Sequence, residues 1–557
     1  MILQQQLPIL LSLYWSSFVN LLHDLVYELV LSHAKGHLLF KLQRKIDFSE
    51  LEKRCAAYHH ELGPGAPATY GVESLVRALL LKYLYDLSLR ELETRLYTDL
   101  LARWFAGYGL FDDLPDHVTL QRFETWVCQN CKRAFFDEIL RQIDAEYPDD
   151  KLQIQIGDTY AMHANASRED LIPLLRHSSE QVLRTAVQTI PVQMERALCH
   201  FAWPDLIGRY KEITLFNLTL KERIARQATV VRAALDLHTR LVSTLQDRPV
   251  HELPELRLWL ARLKKIINDN FIFEAESVRE LPIKEKGDFR MGSASDPEAS
   301  YRVHGSRAGQ TSFGYNIQFA ITSGGFVRET QAYTGASPDQ AGVAELIEQQ
   351  KEHQGYYPKK LIYDQAAGTG KTRAEVRAVS EGQTQLVAKL PPYEKRSGRY
   401  GPYDFSLSAD GKTLCCPGGK STSVVYRDRN RDGRDFRFFA YQCWRCEPPR
   451  HMNEADQAQR CPLWEKCRDL KQGPGARRRV FISNYRVEVR AAQEYNETEE
   501  FEVDLQQRPQ VERVVFELTH YNGARHCRKR GLMNADWQAK MCAAAYNLKR
   551  WMRRLPA

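Results

Sequence analysis

Residues 361–372 read "LIYDQAAGTGKT", and the fold turns on how this stretch is understood. Gly370, Lys371 and Thr372 end it in the manner of a phosphate-binding loop. Such a loop also needs a glycine at its first position, so that the backbone can turn tightly around phosphates. Gln365 stands there, so the Gly-rich piece reads as a turn leading into a helix over "TRAEVRAVSE". The preceding "KKLIY" is a short apolar run, the signature of a buried strand. Asp364 then sits at the C-terminal end of a strand, where α/β sheets keep their sites. An aspartate there can also cap a turn or helix, so the rest of the chain has to decide its role.

The chain has 557 residues, too many for one core, and three or more domains are expected. Its composition is that of an ordinary water-soluble protein. The apolar stretch "LPILLSLYWSSFVNLLHDLVYELVLSH" is interrupted by Asn20, His23, Asp24 and Glu28, which predicts an amphipathic or partly buried helix rather than a membrane span. With no basic leader and no small-residue cleavage site, a secretory signal is not expected and a cytoplasmic location is. The formal net charge is +8, and residues 505–557 alone hold eleven Lys or Arg against three Asp or Glu. A basic terminal segment suits a polyanion such as DNA, though a solvated surface helix gives the same count.

Residues 1–150 read as short helices joined by short turns. In "SLRELETRL", Ser88 with Glu91 forms a capping-box pattern. "KLQIQIGDTY" changes the rhythm: Leu152, Ile154 and Ile156 alternate with polar residues, as in a strand with one buried face, and Asp158 follows. Residues from about 168 to 285 return to helix. "FGYNIQFAIT" and "FVRETQAYT" then flank "SGG", a hairpin signature, and "SPDQAGVAELIEQQ" opens like a capped helix. After "KKLIYDQ" come a helix and the strand "TQLVAKLP". This order predicts a mixed α/β unit.

Three acids stand out by position. Asp158 and Asp364 end predicted strands. Glu512 lies on a predicted helix beside an apolar stripe of Val511, Val514, Val515 and Leu518, in line with Arg508, Phe516 and Thr519. Carboxylates converging from two strands and a helix can hold Mg²⁺, a hard ion that prefers oxygen and leaves positions open for water and phosphate. Two such ions can serve phosphoryl transfer. The sequence alone does not show that the three converge.

From about residue 35 to 551 the chain resembles the DDE transposases of bacterial insertion sequences, in the branch with a helical N-terminal domain and a Cys-bearing insertion. The matching text is "LVRALLLKYLYDLSLRELETRL", "ARWFAG" and "LPDHVTLQRF" early on. In the core it is "IGDTYAMHANAS", "SDPEASYRVHGSRAGQTSFGYNIQFAI" and "LIYDQAAG", and near the end "RPQVERVVFEL", "RGL" and "AAAYNLKRW". Each piece is modest, but their order and spacing are specific. The resemblance implies an RNase H-like core whose first acid is Asp158, second Asp364 and third Glu512, with Glu517 a nearby rival for the third. It implies two Mg²⁺ ions, cleavage of DNA at terminal inverted repeats, and attack of the freed 3′-hydroxyl on target DNA. A homodimer on DNA, associated with the bacterial nucleoid and not with a membrane, is the expected form.

Arg508 matches a basic position of the family pattern, within reach of phosphate beside the acid. One departure is Thr519, where the family usually has Lys. A threonine can hydrogen-bond phosphate but carries no charge; His520, Arg525 or Lys529 are the candidates to compensate. Other readings are a decayed or domesticated relative that binds DNA without cutting, and a general RNase H-like nuclease. Asn165, Ser167, Asp296 and Glu298 also match family positions, but loop hydrogen bonding and capping explain such groups better than catalysis.

Six of the twelve cysteines fall between 415 and 467, which in a cytosolic chain favours metal over disulfides. Tetrahedral zinc needs four thiolates, usually with one Cys-x-x-Cys knuckle. Cys443 and Cys446 supply that knuckle, and Cys416, Cys461 and Cys467 compete for the other places; a metal-free thiol cluster is the alternative. Cys128 and Cys131 are expected to be packing residues on a helix. The expected division is a helical DNA-binding domain over 1–150, the first part of the core over 151–400 with its helical insertion, a Cys-rich insertion over 401–490, and the helical end of the core, carrying Glu512, over 491–557.

Overall fold

The computed structural model describes residues 2–61, 70–207, 218–249, 251–274, 277–303, 311–391, 399–427, 432–445, 459–468 and 475–555. At its centre is a mixed sheet. Strand β1 (Ile154–His163) pairs antiparallel with β2 (Thr311–Thr322), and β2 antiparallel with β3 (Val327–Thr334). On its other side β1 runs parallel to β4 (Lys360–Ile362), which runs parallel to β5 (Gln385–Val387). The order is therefore β3–β2–β1–β4–β5, with a short strand, Ser300–Val303, added to the start of β2. This is an RNase H-like sheet flanked by helices. The "SGG" turn between β2 and β3 is present, and Gly325 takes the left-handed conformation that such a turn favours (φ 77°).

The Gly-rich piece after Asp364 forms a 3₁₀ turn (Gln365–Gly368) and the helix Gly370–Val379, as the missing loop glycine implied. The "SPDQ" segment differs from expectation: the helix there begins only at Val343, after a run of turns. Asp339 is drawn instead into side-chain bonds described below.

The N-terminal helices do not keep a core of their own. One continuous apolar cluster runs from Leu39 through the N-terminal helices, the sheet and Val511, Val514 and Leu518 to Met552. Its axis is the C-terminal helix Leu532–Arg554, which packs on β3 and on the helices Val72–Leu84 and Ala134–Glu146. The run Ala543, Ala544, Ala545 lets neighbouring backbones approach closely, and all three are buried. Asn547 on this helix exchanges hydrogen bonds with both the N–H and the C=O of Val327, each 2.8 Å. The helix is internal, yet of the tail's basic side chains Lys540 is buried while Arg513, Arg525, Arg530, Arg553 and Arg554 are exposed. Lys540 Nζ donates to the Thr330 carbonyl at 2.6 Å, Arg550 Nε to the Gly324 carbonyl at 2.6 Å, and Arg553 pairs with Glu517 at 3.2 Å. Charge count alone could not separate such a helix from a solvated or DNA-bound one.

The insertion between β1 and β2 has a separate core, built by Leu171–Thr189, Leu220–Ser243 and Pro254–Asn270. The helical expectation overran its end, where Phe271–Phe273 and Val278–Glu280 form a hairpin. The Cys-rich segment holds two small three-stranded sheets. At the start of the chain, Ile2–His33 is one helix; Tyr27 is buried while Leu21, Leu25 and Leu29 are exposed. Among the described residues no helix is long and apolar enough to cross a membrane.

Candidate active site

The parallel register of β1 and β4 aligns Ile156 with Ile362. Two residues further along each strand stand Asp158 and Asp364, so the two acids emerge side by side and on the same face. Gly157 makes this possible. A Cβ there would lie 2.2 Å from the Tyr363 ring, which is buried beside it. Asp364 also caps the following 3₁₀ turn, accepting from the Ala366 N–H at 3.0 Å. The capping role and the strand-end position therefore coexist in one side chain, whose second oxygen is left over.

The third acid arrives on the helix Pro509–Tyr521, with proline at its first position and Val511, Val514 and Leu518 buried against the core. Glu512 sits on the opposite, exposed face. Arg508 links the two sides: its guanidinium lies 3.6 Å from Asp158 Oδ2 and 3.6 Å from Glu512 Oε1. Glu517 points elsewhere, to Arg553. The helix is brought to the sheet edge by the acidic run before it, since Lys360 on β4 donates to Asp504 at 2.7 Å and to Tyr495 at 2.9 Å.

Burial raises the Asp158 carboxyl above its ordinary value; the Thr159 N–H and Arg508 pull it down, and Asp364 and Asp339 add to the rise. Crowded carboxylates of this kind favour a cation between them. In this structure Arg508 supplies it. Oxygen donors are the right chemistry for a hard divalent ion; Asp158 and Asp364 leave neighbouring strand ends, and Glu512 shares Arg508 with Asp158. Among the described residues no three acidic, His or Cys side chains are drawn together as a finished ligand set.

A set of residues that the sequence did not single out supports Asp158 from behind. Asp339 Oδ1 accepts from Thr159 Oγ1 at 2.9 Å, from Arg302 Nη2 at 3.0 Å and from Asn316 Nδ2 at 2.9 Å. These residues are far apart in sequence and carry no shared local motif. Beside them opens a groove of about 360 Å³, lined among others by Thr159, His163, Arg302, Thr519, His520 and Arg525. Arg302 Nη1 is buried there with no hydrogen-bond partner among the described residues.

Of the basic residues expected to meet DNA, Arg508 and Arg525 lie at the acids and the groove. The backbone of Arg525 is fixed by the His163 N–H (2.9 Å). Its side chain is exposed and, among the described residues, unpaired. Lys529 is not brought there: its Nζ pairs with buried Glu124 at 3.0 Å. Thr519 faces the groove, its hydroxyl donating to the Val515 carbonyl at 2.8 Å. Asp296 and Glu298 hold backbone and core groups: Tyr315 donates to Asp296 at 2.7 Å, and the Leu532 N–H to Glu298 at 2.8 Å. Asn165 donates to the Arg528 carbonyl at 2.7 Å.

In the Cys-rich segment, Cys416, Cys443, Cys461 and Cys467 line one small cavity. Cys446 lies outside the described residues. Cys128 is buried on the helix His117–Asn130 and Cys131 follows it as its C-cap, both packing residues.

Two comparisons bear on this arrangement. Residues 29–126 match the transposase domain family DUF772, and residues 415–552 match the transposase DDE domain family. No curated protein and no solved structure gives a significant match. The mixed sheet with its flanking helices is consistent with an RNase H-like transposase core. The two matches support a DDE transposase of an insertion sequence.

Proposed function

We propose that the chain binds the terminal inverted repeats of its own element, cuts DNA there, and joins the freed 3′ end to target DNA. What supports this reading is Arg508 lying 3.6 Å from both Asp158 and Glu512, with Asp364 two residues past β4, the strand paired with β1, and Thr159 beside Asp158 lining a groove that carries Arg302 and Arg525. Divalent ions held by the three carboxylates would activate the attacking oxygen and stabilise the leaving one. The remaining work belongs to the chain. Arg302 and Arg525 hold backbone phosphates along the groove. Asp339, through Thr159 and Arg302, keeps the strand end that carries Asp158 in place. Arg508, beside both Asp158 and Glu512, would turn its donors to the phosphate next to Glu512. Two copies on paired ends are the expected working form.

One observation favours a second reading, a transposase-derived protein that binds without cutting: Thr519 brings no charge where the family resemblance expects Lys. A cleavage and strand-transfer assay on DNA carrying the inverted repeats that flank the coding sequence separates the two. Binding with Mg²⁺-dependent nicking and joining supports the first; binding without nicking supports the second.

A further inference from the structure

The four cysteines around the small cavity come from three separate pieces of chain. Cys416 opens a tight turn through Gly418 and Gly419. There its backbone N–H donates to the Lys420 carbonyl at 2.8 Å, and the Lys420 N–H donates to the Cys416 sulfur at 3.3 Å. Cys443 ends the 3₁₀ turn Ala440–Cys443, and Cys461 reaches it directly, its N–H donating to the Cys443 carbonyl at 2.8 Å. Cys467 closes the short helix Trp464–Cys467. A Cβ built on Gly418 would lie 3.3 Å from the Cys461 sulfur and 3.7 Å from the Cys416 sulfur, so two of the thiols crowd one glycine. The enclosed cavity measures about 30 Å³.

We propose that Cys416, Cys443, Cys461 and Cys467 bind one structural Zn²⁺. Of the Cys443–Cys446 knuckle that the spacing suggests, Cys446 lies outside the described residues, and Cys443 is met from another side. Trp444 and Arg460 pair as a bridge, and Arg445 N–H donates to the Gln459 carbonyl at 2.8 Å. This pairing sets Cys461 beside Cys443. Cys415 is excluded, because its thiol is turned to the Cys416 carbonyl.

Charge and size both fit. Four thiolates around a dication leave two negative charges, and two arginines, Arg468 and Arg478, stand in the cavity wall. Arg468 Nη2 already donates to the Cys443 sulfur at 3.0 Å, the kind of outer bond that holds a thiolate ligand. The surrounding cores are small: Phe405, Leu414, Phe436, Phe438, Val480 and Ile482 on one side, and Ala440, Trp444 and Trp464 on the other. Cores of that size need a staple. The sulfurs do not yet form a finished ligand set; drawing them to the usual Zn–S length of about 2.3 Å closes the cavity.

The test uses the full-length protein without DNA, so it is independent of whether the chain cuts. Elemental analysis after dialysis should find one zinc per chain. Cys416→Ser, Cys443→Ser, Cys461→Ser and Cys467→Ser should each lose it, and Cys446→Ser and Cys415→Ser should keep it. Where a variant fails to fold, thiol counting on the wild type serves: removing the zinc with a chelator should expose four additional reactive thiols. Absence of zinc, loss of zinc in Cys446→Ser, or a rise other than four overturns the proposal.

Discussion

Arg525→Ala isolates the role of the groove. The backbone of residue 525 is held by β1, with the Cys527 N–H donating to the His163 carbonyl at 2.8 Å beside it, so truncation removes a cation without disturbing its anchor. Each phosphate that a protein neutralises contributes roughly 0.9 to the slope of log affinity against log salt. If Arg525 makes one phosphate contact, the variant should lose about that much slope. Between about 50 and 200 mM salt the affinity gap between wild type and variant should then narrow by about 3.5-fold. The assay is fluorescence anisotropy of labelled element-end DNA in a salt series, with EDTA present to prevent cutting. Thr519→Lys is the reciprocal arm. It places a charge on the same groove wall and should steepen the slope by about the same 0.9. Parallel salt curves for wild type and Arg525→Ala would refute the groove as the DNA path.

Three further outcomes follow from the geometry. Because burial and the neighbouring acids raise the Asp158 carboxyl, the folded state binds its proton more tightly than the unfolded chain; that group's contribution to stability falls as pH rises through the interval from the unfolded to the folded value. Asp158→Asn should therefore melt at or above the wild-type temperature at pH 7 while losing cleavage, and a lower melting temperature would refute this. Burial alone would raise the Glu124 carboxyl, but Lys82 and Lys529 hold it down to about 2. Glu124→Gln leaves Lys82 buried with its charge unmatched and should cost about 3–5 kcal/mol in denaturant unfolding; a loss below about 1 kcal/mol would refute the buried pair. The stability that Glu124 supplies should be present above the ordinary carboxylate range and fade as pH falls toward 2.

The sheet was legible because its strands carry local signals: alternation into Asp158, the "SGG" turn, and the short apolar run before Asp364. The placement of Glu512 was legible from the helical stripe of Val511, Val514 and Leu518. What escaped was everything made by long-range pairing. Asp339 looked like a helix start and became the anchor behind Asp158. Lys529 looked available to DNA and is consumed by Glu124. The C-terminal helix looked like a basic surface and is the spine of the core, because the small residues that permit close packing also look unremarkable in a sequence.

The most direct test compares Glu512→Gln with Glu517→Gln in a Mg²⁺-dependent nicking assay on element-end DNA, with binding measured in parallel. Only Glu512 shares Arg508 with Asp158, whereas Glu517 pairs with Arg553. Glu512→Gln should bind DNA and fail to nick it, as should Asp158→Asn and Asp364→Asn, while Glu517→Gln should nick. Nicking at a wild-type rate by Glu512→Gln, or its loss in a folded, DNA-binding Glu517→Gln, would contradict the account.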